Sequence, residues 1–332
     1  MSTASTWLRN AVSSLPARDE AAYAAVADRA ANILRPSGAL ARLDAVAAWA
    51  AGWQRTSNPA VLRPAALIFA ADHGISAAGV SAYPADVTGA MLAAYRAGKS
   101  TISAFAAVAG ATVQAIDVGV GQPTGDIRFE AAMSPERFEA AITAGRDAVE
   151  SLDADLLVLG EMGIGNTTVA AALATALTDG DVGHWVGRGT GVDDDGLARK
   201  HAAVSQAVAR VSAMTDPFEI MRELGGAELV AIAAAIVAAR HRQLPIIIDG
   251  YVVTAAALPL VAAHPSALDH CVIGHCSAEP GHRRLLDRLG MQPLLNLEMR
   301  LGEGSGAMAA VPLVAMACVG VTEVPTFGEW FS

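Results

Sequence analysis

Cysteine is nearly missing from this 332-residue chain: Cys271, Cys276 and Cys318 form an odd set with no C-x2-C pair. That argues against a disulfide framework and leads to the expectation of a reducing cytoplasm, as does the lack of a signal-peptide pattern at the start. Aromatic residues are scarce, at 5%, which leaves few platforms on which the bases of a nucleic acid could stack. Lys/Arg runs never exceed two residues, and the formal net charge is −10. Nucleic acid and anionic membrane are therefore not expected partners. The apolar run from Leu244 to Ala263 approaches membrane-spanning length, but Asp249-Gly250 lies inside it and Pro245 and Pro259 punctuate it. A carboxylate in mid-bilayer is costly, so the run reads as a buried strand followed by a helix.

What is abundant is alanine, in stretches that alternate with short apolar runs. Ala66 to Ala70, Val113 to Val118, Leu156 to Leu159, Ile246 to Ile248 and Leu268 to Ile273 read as strands. Asp72-His73-Gly74, Gly119, Gly160-Glu161 and Asp249-Gly250 follow the first four. This βα rhythm predicts a three-layer α/β/α, Rossmann-like core with a mostly parallel sheet, whose ligand sits at the carboxyl ends of the strands. The chain is longer than the ~100–200 residues of one usual domain, so an accessory part is expected. Helical stretches from Glu20 to Leu34 and Leu40 to Trp53, broken at Arg35-Pro36-Ser37-Gly38, together with an apolar C-terminal segment, predict a small helical domain of residues 1–60 plus 307–332 beside a large domain of residues 61–306.

A glutamate framed by glycines occurs twice, as Gly160-Glu161-Met162-Gly163-Ile164-Gly165-Asn166-Thr167-Thr168 and as Leu301-Gly302-Glu303-Gly304-Ser305-Gly306. Glycine lets backbone N–H groups approach a ligand closely, so such loops suit phosphate or ribose, and the glutamate offers a base beside the bound group. A phosphorylated substrate with general-base chemistry is one reading. Strand-ending turns with a solvated glutamate are the other.

Further segments accompany these loops: Arg35-Pro36-Ser37-Gly38-Ala39-Leu40, Ala71-Asp72-His73-Gly74, Gly79-Val80-Ser81-Ala82-Tyr83-Pro84, Gly187-Arg188-Gly189-Thr190-Gly191, Asp249-Gly250, Ser277-Ala278-Glu279-Pro280-Gly281-His282 and Arg300 to Gly306. In the order and spacing of these motifs, nearly the whole chain resembles the nicotinate-nucleotide:dimethylbenzimidazole phosphoribosyltransferases of cobalamin lower-ligand synthesis. The resemblance implies transfer of 5-phosphoribosyl from nicotinate mononucleotide to 5,6-dimethylbenzimidazole or a related aromatic base, giving α-ribazole 5′-phosphate and nicotinate. Benzimidazole, adenine and phenolic acceptors stay open. No cofactor or metal is implied, and a homodimer is.

Residue by residue, the resemblance makes Glu303 the general base and Glu161 a second catalytic carboxylate near the base or ribose; capping of a helix that starts near Asn166 is the competing role for Glu161. Nucleotide and phosphate contacts are implied for Gly163, Gly165, Asn166, Thr167, Gly189, Thr190, Gly191, Lys200, Asp249, Ser277, Gly302, Gly304, Ser305 and Gly306, where helix N-terminal N–H groups and one cation hold the anion. Lys200 taken alone, beside Arg199 on a short helix after Gly196, reads as a solvated helix face. Asp72, His73, Tyr83, Met91 and Met162 correspond to the region around the incoming base, Met91 and Met162 serving equally well as core filler. Ala41 stands where the family commonly has glycine, and Gly274-His275-Cys276 where a more basic or polar stretch is frequent.

Two tempting metal sites read as something else. Asp193-Asp194-Asp195 fits an acid-rich helix N-terminus better than magnesium. His270, Cys271, His275, Cys276 and His282 lack zinc-site spacing, since C-x4-C stands without a second cysteine pair. Two other functions remain beside transfer: hydrolysis of nicotinate mononucleotide, and a nucleotide-binding paralogue without activity. For the homodimer, the alanine-rich helices Glu228 to Ala239 and Ala307 to Val319 are the expected surplus apolar surface.

Overall fold

The computed structural model describes residues 3–178 and 180–332. Helices α1 (Ala4–Ser13), α2 (Glu20–Asn32) and α3 (Ala41–Gln54) precede strand β1 (Pro64–Ala70). Helices α4 (Val87–Arg96) and α5 (Thr101–Ala109) lead to β2 (Thr112–Asp117), and α6 (Pro135–Glu150) leads to β3 (Leu156–Met162). Between β3 and β4 (Ile246–Ile248) lie α7 (Asn166–Leu177), α8 (Asp194–Val211), α9 (Pro217–Leu224) and α10 (Ala227–His241). Helices α11 (Tyr251–Ala256) and α12 (Leu258–Ala263) precede β5 (Cys271–His275), and α13 (Pro280–Leu289) precedes β6 (Pro293–Leu295). The chain closes with α14 (Ser305–Thr322) and α15 (Phe327–Phe331).

The six strands form one parallel sheet in the order β2-β1-β3-β4-β5-β6. Strand progression reverses beside β1, so the carboxyl ends of β1 and β3 flank a topological switch point. Period-two alternation divides the core between the two faces. Ala65, Leu67, Phe69, Leu157, Leu159, Ile246 and Ile248 point to one helical layer. Ala66, Ile68, Leu156, Val158 and Ile247 point to the other. Both faces are covered, which is why these strands read as continuous apolar runs and not as alternating ones.

Helices α2, α3, α5 and α14 cover one face. Helix α1 does not join them, a correction to the expected grouping of the first 60 residues. Its Leu8, Ala11 and Val12, at helical spacing, continue the opposite core against α6 and α10. The strand expected from Leu268 starts instead at Cys271, because the Cys271 N–H turns back onto the Leu268 carbonyl at 2.8 Å. Strand β6 went unseen in the sequence: it is three residues at the sheet edge and opens on Pro293, which has no N–H to give to a ladder.

Helix α10 is buried from Ala227 to Arg240. Its alanines let it pack closely on α6 and the sheet, so its apolar surface is internal core and not surplus for a partner. Helix α14 is long and apolar enough to cross a membrane by length and composition, but 56% of it is buried. It packs on β4, β5, α3 and α5 as a core helix, leaving Met316 and Val319 about half exposed.

Candidate active site

The first glycine–glutamate loop is the carboxyl end of β3 and its turn into α7. Gly165 begins that helix in the left-handed region, φ +95°, with no side-chain cap. Glu161 therefore does not cap the helix. Its carboxylate accepts a hydrogen bond from the Asn166 amide. Thr167, in the first turn, accepts from Lys200 Nζ at 3.0 Å.

The second loop precedes α14. Gly302, Glu303 and Gly304 all take left-handed backbone, with φ of +84°, +66° and +87°. For glutamate this costs about 1–2 kcal/mol, so something must hold it. Asp249, at the end of β4, accepts the Gly304 N–H at 3.2 Å and the Ala307 N–H at 2.8 Å. The two loops also interlock, because a Cβ on Gly302 would come within 2.7 Å of Glu161 Oε1.

Above them lie two adjoining cavities. The smaller, about 110 Å³, is lined by Glu161, Gly163, Asn166, Thr167, Gly189, Ser277 and Glu279. The larger, about 570 Å³, is lined by Tyr83, Val87, Met91, Phe105, Met299, Ser305 and Gly306. Met162, Ile164, Thr190, His275, Arg300, Leu301, Gly302 and Glu303 belong to both. One chamber thus offers backbone N–H groups and carboxylates, the other an apolar slot, and Glu303 stands where they meet.

Most sequence-predicted site residues gather here, and some do not. Gly165, Gly191, Gly304, Lys200, Asp249, Asp72 and His73 are absent from both linings. Lys200 lies on the 18-residue α8, not a short helix, and is only 1% exposed. Its Nζ reaches toward the smaller cavity, where a Cβ on Gly189 would lie 3.4 Å away. Asp249 is fully buried beneath the second loop. His73 is buried behind the first, 2.6 Å from Glu228 Oε1, and a Cβ on Gly163 would come within 2.7 Å of its Nε2. Asp72 accepts the Gly121 N–H at 2.7 Å. Asp249 and His73 thus pack against the backs of the loops, and Asp72 holds the turn at Gly121.

Among the described residues, neither the acid triplet nor the histidine cluster gathers into a metal-binding group. Asp193 caps α8 through the Gly196 N–H at 2.7 Å, and Asp194 pairs with Arg188. His270 bonds the Ile236 carbonyl, while His282 spans Ser277 and Thr254.

Residues 15–330 match a family model described as phosphoribosyltransferase. The nicotinate-nucleotide–dimethylbenzimidazole phosphoribosyltransferase of Mesorhizobium japonicum is 47% identical over 323 residues, covering 97% of this chain and 96% of the relative. The chain belongs to this phosphoribosyltransferase family. The enzyme of the same name from Methylorubrum extorquens is 47% identical over 96% of the chain and 93% of its own length. The crystal structure of CobT from Thermus thermophilus superposes with a TM-score of 0.89 at 41% identity, covering 94% of this chain and 98% of the other.

For a phosphoribosyltransferase, the charge state of these carboxylates decides what they can do. Burial pushes Glu161 up to about 8, with the charges of Glu228, Asp249 and Glu303 adding to the rise and the Asn166 amide opposing it. Burial thus favours the protonated form of Glu161. Burial also raises Glu303, the Tyr95 hydroxyl pulling it down and Asp249 pushing it up. A carboxylate raised in this way is a stronger base than a solvated one. Burial lowers Lys200 to about 8, offset in part by Glu279.

Sequence reasoning passed over Tyr95, Glu279, Phe105 and Arg300 as site residues. Tyr95 is an ordinary buried position of α4, and only the fold turns its hydroxyl toward Glu303. Glu279 carried the clearer signal, sitting inside Ser277 to His282. Its carboxyl is raised by burial and pulled back by Lys200, the Gly189 N–H and Arg300.

Proposed function

We propose that the chain transfers 5-phosphoribosyl from nicotinate mononucleotide to 5,6-dimethylbenzimidazole or a related aromatic base, in assembly of the cobalamin nucleotide loop. The observation that carries this is the position of Glu303, a buried carboxylate at the junction of a glycine-lined cavity and an apolar one. The phosphate belongs in the first, beside the Gly163 and Thr167 N–H groups and Lys200, and the acceptor's aromatic ring in the second among Val87, Met91 and Phe105.

The C1′–N bond of the donor breaks and its electron pair returns to the pyridinium nitrogen, so nicotinate leaves without needing acid or metal. The acceptor nitrogen forms the new bond to C1′, and its N–H proton passes to the Glu303 carboxylate. General-base help of this kind is worth about 10²–10⁴ in rate, or roughly 3–5 kcal/mol. Glu161, in its protonated form, is the neutral neighbour that spares Glu303 a second negative charge at short range.

Hydrolysis of the mononucleotide fits less well, because the larger cavity is apolar and suits a ring better than a water. A binding-only paralogue is disfavoured by the presence of Glu303, Glu161 and Lys200 together. We also infer a cytoplasmic homodimer, for which the half-exposed Met316 and Val319 of α14, with Trp330 of α15, are the surplus apolar surface. The test is to incubate the protein with nicotinate mononucleotide, with and without dimethylbenzimidazole, and follow nicotinate and ribotide. Base-dependent release with ribotide formation is expected; base-independent release means hydrolysis, and no release means binding alone.

A further inference from the structure

His275 ends β5 with its ring in the wall shared by the two cavities, yet it is 2% exposed. Glycines make its room. A Cβ on Gly306 would lie 2.1 Å from Cδ2, and one on Gly250 would lie 3.4 Å from Nε2. Nε2 faces Asp249 Oδ1 at 3.3 Å, in imperfect alignment. That carboxylate already accepts the N–H of Gly304 in the Glu303 loop and that of Ala307 in α14. An imidazole whose Nε2 hydrogen faces a carboxylate presents a lone pair at Nδ1. Among the described residues neither ring nitrogen has a hydrogen-bond partner, and both are buried. An orphaned buried acceptor is costly, and its cost disappears if a ligand brings the donor.

The ligand's own geometry says which part that is. With the donor's phosphate in the smaller cavity and the acceptor ring in the larger, the new bond joins that ring to C1′, so the ribose lies at their shared wall. Ribose hydroxyls are the donors available there. We propose that His275 touches substrate: its Nδ1 accepts a hydrogen bond from a ribose hydroxyl of the mononucleotide, while Asp249 fixes the tautomer. The inference rests on the nucleotide reading of the site given above. It makes Asp249 a positioning residue twice over, for the Glu303 loop and for His275.

The test is calorimetric binding of nicotinate mononucleotide and its 2′-deoxy and 3′-deoxy analogues to the wild-type chain, His275→Gln and His275→Asn. Glutamine keeps a donor for Asp249 but has nothing at the Nδ1 position; asparagine places an acceptor near Nδ1 and loses Asp249. Wild-type protein should bind one deoxy analogue about tenfold to a hundredfold more weakly than the parent nucleotide. His275→Gln should bind the parent more weakly by a similar factor and no longer distinguish that analogue, and His275→Asn should regain part of the distinction. Retained discrimination in His275→Gln overturns the contact. So does wild-type protein that binds both analogues as well as the parent, a result that needs no variant to fold. Failure of wild-type protein to bind the parent nucleotide removes the nucleotide reading and the contact together, whereas base-dependent turnover without hydroxyl discrimination removes the contact alone.

Discussion

Gly160 lies so close to the main chain of Glu303 that a Cβ added to it would sit 2.3 Å from the Glu303 carbonyl oxygen. The strand end of one loop thus sets the height at which the other loop presents its base. Gly160→Ala is expected to displace Glu303 and lower turnover by about 10²-fold, since a shift near 1 Å can cost that much. Overpacking should destabilise the fold by roughly 1–3 kcal/mol. Turnover and urea unfolding check the two effects separately.

Glu303→Gln preserves the shape of the side chain and removes its basicity. Turnover should fall by about 10²-fold or more with nucleotide affinity retained. Near-wild-type turnover at saturating substrate would falsify the general-base role.

Tyr95→Phe is expected to act through Glu303. The hydroxyl favours the Glu303 carboxylate, so its loss should raise that carboxyl further and move the acid limb of the pH–rate profile to higher pH. An unmoved limb in kcat/KM profiles would detach Tyr95 from the base.

Glu161 gives a stability signature with a definite sign. Burial pushes the folded carboxyl up to about 8, above an unfolded glutamate, so the folded state favours the extra proton between those values. Its contribution to stability is fully present below the unfolded value and is lost as pH rises through about 8. Glu161→Gln should therefore be the more stable protein at high pH, by roughly 1–3 kcal/mol, with the gap closing in acid. Melting curves of both proteins across pH decide it.

Light scattering at micromolar concentration should report about twice the 33.9 kDa of one chain. A monomer alone would mean that Met316, Val319 and Trp330 are simply exposed apolar residues.

How far the site was legible varies by residue. The glycine–glutamate loops were visible because close backbone approach demands glycine, and that demand is written locally. Glu303, Glu161, Tyr83, Met91 and Met162 all line the cleft where the sequence pointed. Asp72, His73 and Asp249 were legible as site motifs but not as supports, since which face of a loop a side chain takes depends on what packs behind it. The partner of His73 is Glu228, 155 residues away. No local pattern records that pairing.

The amino-acid sequence by itself determined the parallel α/β sheet, through apolar runs long enough to be covered on both faces, and the two glycine-framed acids at strand and loop ends. Tertiary structure decided the rest. It sent α1 to the face opposite α2 and α3, and it consumed the alanine surface of α10 in the core. It also brought Glu228, Asp249 and Glu303 close enough to Glu161 that their charges, with burial, raise it. That shift is a property of distance in a low-dielectric interior, and distance between residues far apart in sequence exists only once the chain has folded.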